Sequence, residues 1–193
     1  MLFAFSSLTP ISIYPRRDFA ARAPQWAKQF AVILSRIARF DWPRHWPELF
    51  PGMLAAVQSS DPALVECVLG CMHQTLKELS LKRMQSDRNM FEQNALSLLP
   101  YVRQLWSAHV TALLAGLEAM DLSPHAAPVA ADAAAAFDRS ARLALLCIKS
   151  LRRLVVKGVN LPLEVPEATA FFRDLLPILQ QLFAQRARLV AQV

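Results

Sequence analysis

Residues 40–51 read Phe40-Asp41-Trp42-Pro43-Arg44-His45-Trp46-Pro47-Glu48-Leu49-Phe50-Pro51, and no other stretch restricts the chain so tightly. Each proline fixes its own φ and drives the residue before it out of the α region. Trp42 and Trp46 are those residues, so the backbone turns with two large rings in its crook. Helical apolar patterns run into this stretch from one side and leave it on the other. The stretch therefore reads as a rigid elbow between two helices, with Asp41 as a cap and Pro47 in the first turn of the second helix, where a missing N–H costs nothing.

The flanking patterns extend along the whole chain. Trp26, Phe30, Ile33, Ile37 and Phe40 recur at spacings of three and four, one face of a helix. Trp46, Leu49, Phe50, Met53, Leu54 and Val57 repeat it after the elbow. Asp61-Pro62 is an N-cap followed by a proline at the first helical position. Val65, Val68, Leu69, Met72, Leu76 and Leu79 then form a third stripe. A fourth runs from Phe91 to Leu117 through Pro100, where a kink or a short break is expected. Residues 121–131 read as a loop. A fifth stripe runs from Phe137 to Val155, with Gly158 as a stop. The sixth starts around Pro166, with Phe171, Leu175, Ile178, Leu179, Leu182 and Phe183 predicted to face inward and Pro177 to bend it. No stretch alternates convincingly in the manner of a strand.

The pattern predicts an all-α fold, an α-solenoid of about three HEAT-like antiparallel helix pairs. Residues 1–23 form an irregular N-terminal arm and residues 24–193 the repeat segment, divided into pairs 24–58, 62–119 and 131–191. A helix pair cannot hide its apolar face alone and needs a neighbouring pair. A simple helical bundle is the rival architecture.

Among 193 residues, 54% are hydrophobic and only four are glycine, which excludes a disordered or collagen-like chain. No apolar run approaches the roughly 18 residues that a membrane span needs. Three cysteines are too few and too odd in number for a disulfide framework and point to a reducing compartment. A net charge of +6 admits nucleic acid, acidic protein or anionic membrane as partner without choosing among them.

Signals of catalysis are missing. Four glycines cannot supply a phosphate-binding loop, and there is no nucleophile elbow. Cys67 and Cys71 share a helix face, but His73 points about 200° away from Cys71, so the pair reads as packed core thiols. No catalytic residue, cofactor site or metal site is assigned, and the chain reads as a non-enzyme. The basic residues Lys82, Arg83, Arg88, Arg152, Arg153, Lys157, Arg186 and Arg188 cluster near helix ends. They suit the helix dipole and solvation, or a partner-binding edge. Aromatics do not interleave with them, which argues against direct nucleic-acid binding.

The elbow, with Lys82-Arg83-Met84-Gln85-Ser86-Asp87-Arg88-Asn89-Met90-Phe91, resembles the importin-β (karyopherin) superfamily, and most closely its importin-eleven branch. The matching elbow residues are Asp41, Pro43, Trp46, Pro47, Glu48 and Leu49. The matching later residues are Lys82, Arg83, Asp87, Arg88 and Phe91, then Leu105-Trp106 and Leu146 to Leu154. The resemblance covers about residues 25–190 and implies an N-terminally truncated fragment of a receptor built from HEAT repeats. Such receptors carry protein cargo through nuclear pores, bind the small GTPase Ran in its GTP form, and meet nucleoporins. It implies no cofactor, no membrane insertion, and residence in nucleus, cytoplasm and the nuclear envelope or pore. It places the second helix of each pair on the concave side and makes Lys82, Arg83, Asp87 and Arg88 partner-binding, with Trp42 and the matched elbow residues structural. A generic helical scaffold without Ran dependence is the alternative function.

Overall fold

The computed structural model describes residues 24–119, 131–159 and 161–191. The arm expected at residues 1–23 and most of the loop expected at 121–131 lie outside the described residues. Every regular element among the described residues is a helix: α1 (Pro24–Asp41), α2 (Leu49–Ala56), α3 (Pro62–Leu79), α4 (Gln85–Ala119), α5 (Ala131–Gly158) and α6 (Pro166–Ala191). The fold is therefore all-α and of the HEAT-like class. It divides into two compact units, Met1–Arg88 and Asn89–Val193.

In the first unit α3 is the central helix. Asp61 caps it by accepting a hydrogen bond from the Ala63 N–H (3.1 Å), and Pro62 opens it. Its predicted stripe is buried throughout, from Val65 to Leu79. The main neighbour of α3 is α1. Arg39 near the end of α1 meets Glu78 near the end of α3. The two helices therefore run parallel, and the elbow and the short α2 return the chain between them.

The inward face of α1 differs from the predicted one. Ala31, Leu34, Ser35 and Ala38 are buried, whereas Ile33, Ile37 and Phe40 are exposed. Phe40 is 81% exposed and Trp26 58%. The physical reason is the close approach to α3. Small side chains at the contact let two helix axes come together, and the Ser35 hydroxyl is satisfied within α1 by donating to the Val32 carbonyl (2.8 Å). Side-chain size in the sequence pointed to the wrong face.

The elbow is a compact turn. The Trp42–Pro43 peptide is cis. The Trp42 ring is buried and packs edge-on against Phe50, with centroids 5.5 Å apart and planes at 84°. Helix α2 starts at Leu49, later than expected, so Pro47 precedes the helix instead of occupying its first turn.

In the second unit α4 and α5 run antiparallel. The start of α4 meets the end of α5 at Ala95 and Gly158, and the end of α4 meets the start of α5 at Gly116 and Phe137. Pro100 lies inside a helix that continues through it for 35 residues, and Pro177 lies inside α6 in the same way. Gly158 has no positive φ and is the last residue of α5. Its role is not the left-handed stop expected of it, because a Cβ there would collide with Ala95 and lie 3.3 Å from the Phe91 ring. The first turns of α6 sit on the middle of α4, with Phe171 edge-on to Trp106 at 5.5 Å and Arg103 donating to Asp174 at 2.6 Å. Phe171 is buried as expected, but Leu179 and Phe183 are exposed.

Candidate partner-binding surface

The Lys82–Arg88 turn and the Trp-Pro elbow, far apart in sequence, meet in the first unit. After α3 the backbone tightens, with Leu81 N–H donating to Glu78 (3.3 Å) and Lys82 N–H to Leu79 (3.1 Å). This aims the Lys82 side chain back at the elbow. Its ammonium lies 3.5 Å from the Trp42 carbonyl oxygen and 3.5 Å from the Asp87 carboxylate. Asp87 sits in the first turn of α4, where negative charge also suits the helix dipole. Both side chains are largely shielded, at 14% and 28% exposure.

The four residues selected from the sequence therefore divide into two kinds. Lys82 and Asp87 face each other and hold the elbow to the turn. Arg83 and Arg88 are exposed, as are Arg44 and His45 on the elbow itself. Among the elbow residues, Trp42 and Leu49 are buried; Asp41, Pro43 and Trp46 are half-buried; Pro47 and Glu48 are exposed. The elbow is structural at its rings and open to solvent along its polar edge.

A second charged cluster lies beside it. Glu78 is nine-tenths buried, with Arg39 3.5 Å and Arg36 3.8 Å from its carboxylate. Arg39 also donates to the Glu78 carbonyl oxygen (3.1 Å). Sequence reasoning assigned no role to Arg36, Arg39 or Glu78. A signal was present: an acidic residue inside the apolar α3 pattern demands a cationic partner when buried.

The cysteines are buried, in keeping with their reading as core thiols. Cys71 donates its hydrogen to Cys67, which lowers the Cys67 pKa and raises that of Cys71. Burial pushes Cys147 up to about 12. The His109 pKa falls because burial disfavours the imidazolium. No group of three or more potential metal ligands occurs among the described residues. No helix among them is long and apolar enough to cross a membrane.

Comparison with known sequences places these features in context. The sequence pattern of the Exportin 1-like protein family matches residues 24–151, from the start of α1 through most of α5. The chain is 30% identical over 161 residues to Importin-11 of Homo sapiens and to Importin-11 of Mus musculus, in each case 81% of this chain and 15% of the relative. It is 28% identical over 140 residues to the Importin beta-like protein kap113 of Schizosaccharomyces pombe, which is 70% of this chain and 13% of the relative. The chain thus spans about one-seventh of the length of these relatives. No solved structure matches it significantly.

Proposed function

The chain belongs to the Exportin 1-like family of the importin-β superfamily, and from that premise we propose that it serves as a nuclear transport receptor segment, a binding scaffold without catalytic chemistry. Its partners on this reading are Ran in the GTP form, protein cargo and nucleoporins, and it works in nucleus and cytoplasm and at the nuclear envelope or pore. The observation that carries the reading is the family match itself, which takes in the elbow, the Lys82–Arg88 turn and the antiparallel α4–α5 pair.

The proposed mechanism is a shift of populations. A stack of helix pairs, divided here as 24–58, 62–119 and 131–191, samples several curvatures. A partner that contacts one of them better draws the stack toward it, and two such partners are coupled by the same factor in both directions. Helices α2, α4 and α6 take the partner-facing side. Arg83 and Arg88 make the contact from the turn, and the Lys82–Asp87 pair holds the turn in place.

The test is a pull-down with Ran loaded with GTP or with GDP. Retention of the GTP form alone, reduced when Arg83 and Arg88 are both changed to Glu, supports the reading. Equal retention in the two nucleotide states, or none, removes Ran and leaves a generic helical scaffold.

A further inference from the structure

Ser86 differs from every other hydroxyl side chain in its setting. It is exposed, and the residues before it read Leu81-Lys82-Arg83-Met84-Gln85. Among the described serines and threonines it alone has arginine three places earlier. Arg83 is exposed, and Leu81, five places earlier, is 51% exposed. Residues 81–84 lie between α3 and α4 and belong to neither helix. The Arg88 N–H donates to the Met84 carbonyl (3.1 Å), which makes Met84 the capping residue of α4 and Ser86 its second residue. A methionine side chain has no oxygen to offer the first N–H groups of the helix.

We propose that Ser86 is a phosphorylation site for a serine kinase with an acidic substrate groove, and that Arg83 and the start of α4 hold the added phosphate. A carboxylate in such a groove takes the Arg83 guanidinium in paired hydrogen bonds, and an apolar pocket takes Leu81. Helix ends fray, and opening the first turn of α4 carries Ser86 into the kinase's cleft. Its Oγ bonds to the γ-phosphorus of magnesium ATP as the bond to the bridging oxygen breaks. ADP leaves with the electron pair, and the hydroxyl proton passes to the kinase's catalytic carboxylate.

The phosphate carries a charge of about −1.5 to −2 and three acceptor oxygens. When α4 closes again, it lies at the positive end of the helix, where an anion is favoured. Lys82, Arg83 and Arg88 surround it in sequence against a single anion, Asp87, which Lys82 already matches at 3.5 Å. The elbow contributes Arg44 and His45 but also Asp41 and Glu48, so the turn's own cations decide the balance. The phosphate therefore orders the turn. It also places negative charge on the surface whose Arg83 and Arg88 are proposed to meet a partner. That consequence rests on the proposed function; the modification and its hold on Arg83 do not.

The test incubates the full chain and magnesium ATP with a kinase of this arginine-directed class, or with an acid-directed kinase. The expected result is phosphate at Ser86, mapped by tandem mass spectrometry, from the first kinase and none there from the second. Ser86→Ala should abolish it and leave the circular dichroism unchanged. Arg83→Ala should lower the kinase's kcat/KM by about tenfold, the loss of one charge-assisted hydrogen bond. In the product, phosphorus NMR should place the second ionisation of the phosphate about half a unit below its ordinary value near 6, and Arg83→Ala should raise it again. Four outcomes overturn the proposal: no phosphate at Ser86, phosphate only after unfolding in urea, a rate indifferent to Arg83→Ala, or an unshifted phosphate ionisation.

Discussion

Replacing Gly158 by Ala places a methyl group where α5 and α4 touch. The new Cβ falls inside the contact shell of the Ala95 methyl and 3.3 Å from the Phe91 ring. Ala95 is 1% and Phe91 4% exposed, so neither has solvent to move into. The Ala95 Cβ is fixed to the backbone and cannot rotate away; relief requires the two helices to separate locally. Overpacking of this kind costs ~1–3 kcal/mol. It is opposed by less than the ~1 kcal/mol by which Ala outranks Gly within a helix, because Gly158 is the terminal residue. The net expectation is a loss of about 1–2 kcal/mol, read from urea unfolding followed by circular dichroism. Ala95→Gly alone costs about 1 kcal/mol as a glycine in the helix interior. The double variant should lose less than the two single losses together, with an interaction of at least ~1 kcal/mol. If Gly158 were merely a helix stop, Gly158→Ala would act independently of residue 95. A variant as stable as the parent, or losses that simply add, would refute the close-approach argument.

Three further outcomes follow from the same geometry. Lys82→Ala leaves the Trp42 carbonyl and the Asp87 carboxylate without their shared donor and should lower unfolding free energy by about 1 kcal/mol in urea titrations, a small value set by the 3.5 Å separations. Trp106→Ala removes the ring that meets Phe171 edge-on and should cost ~3–5 kcal/mol, seen as an early loss of α4 protection in amide hydrogen exchange. The Cys147 thiol is raised from 9.0 to about 12 by burial. The folded state therefore holds its proton more tightly than the unfolded state does, and the contribution is complete below pH 9. It is lost as pH rises from 9 toward 12, and Cys147→Ala should flatten that alkaline decline in unfolding free energy.

The sequence disclosed the helices more readily than their faces. Asp61-Pro62 announced the start of α3, and the α3 stripe was legible because α3 is surrounded and its large apolar side chains have one place to go. The face of α1 was misread because burial there is decided by small residues, Ala31, Ser35 and Ala38, which allow close approach but carry little hydrophobic signal. Gly158 was misread for a related cause. A glycine near a helix end suggests a left-handed stop, whereas this one keeps an ordinary φ and makes room for Ala95. At the Lys82–Arg88 turn, spacing could group the charges but could not separate Lys82, which reaches the Trp42 carbonyl, from Arg83, which faces solvent. That distinction depends on a contact across forty residues.

The residues that carry the family likeness are unevenly placed, and the unevenness bears on what the likeness can mean. Leu49, Phe91, Trp106, Cys147 and Leu151 are buried, and Lys82 and Asp87 are occupied with one another. These positions specify how helices meet. A partner cannot touch the buried Trp106 ring, which is packed against Phe171, and it cannot recruit Lys82 without first releasing the Trp42 carbonyl. On the proposed function, recognition by this part of the chain would come from exposed matches, which include Pro47, Glu48, Arg83, Arg88 and Arg152, or from exposed residues outside the shared pattern, such as Arg44 and His45. It follows that likeness in the core supports the fold and the family, while on the proposed function the choice of partner would reside in exposed side chains that can vary without disturbing a single buried contact.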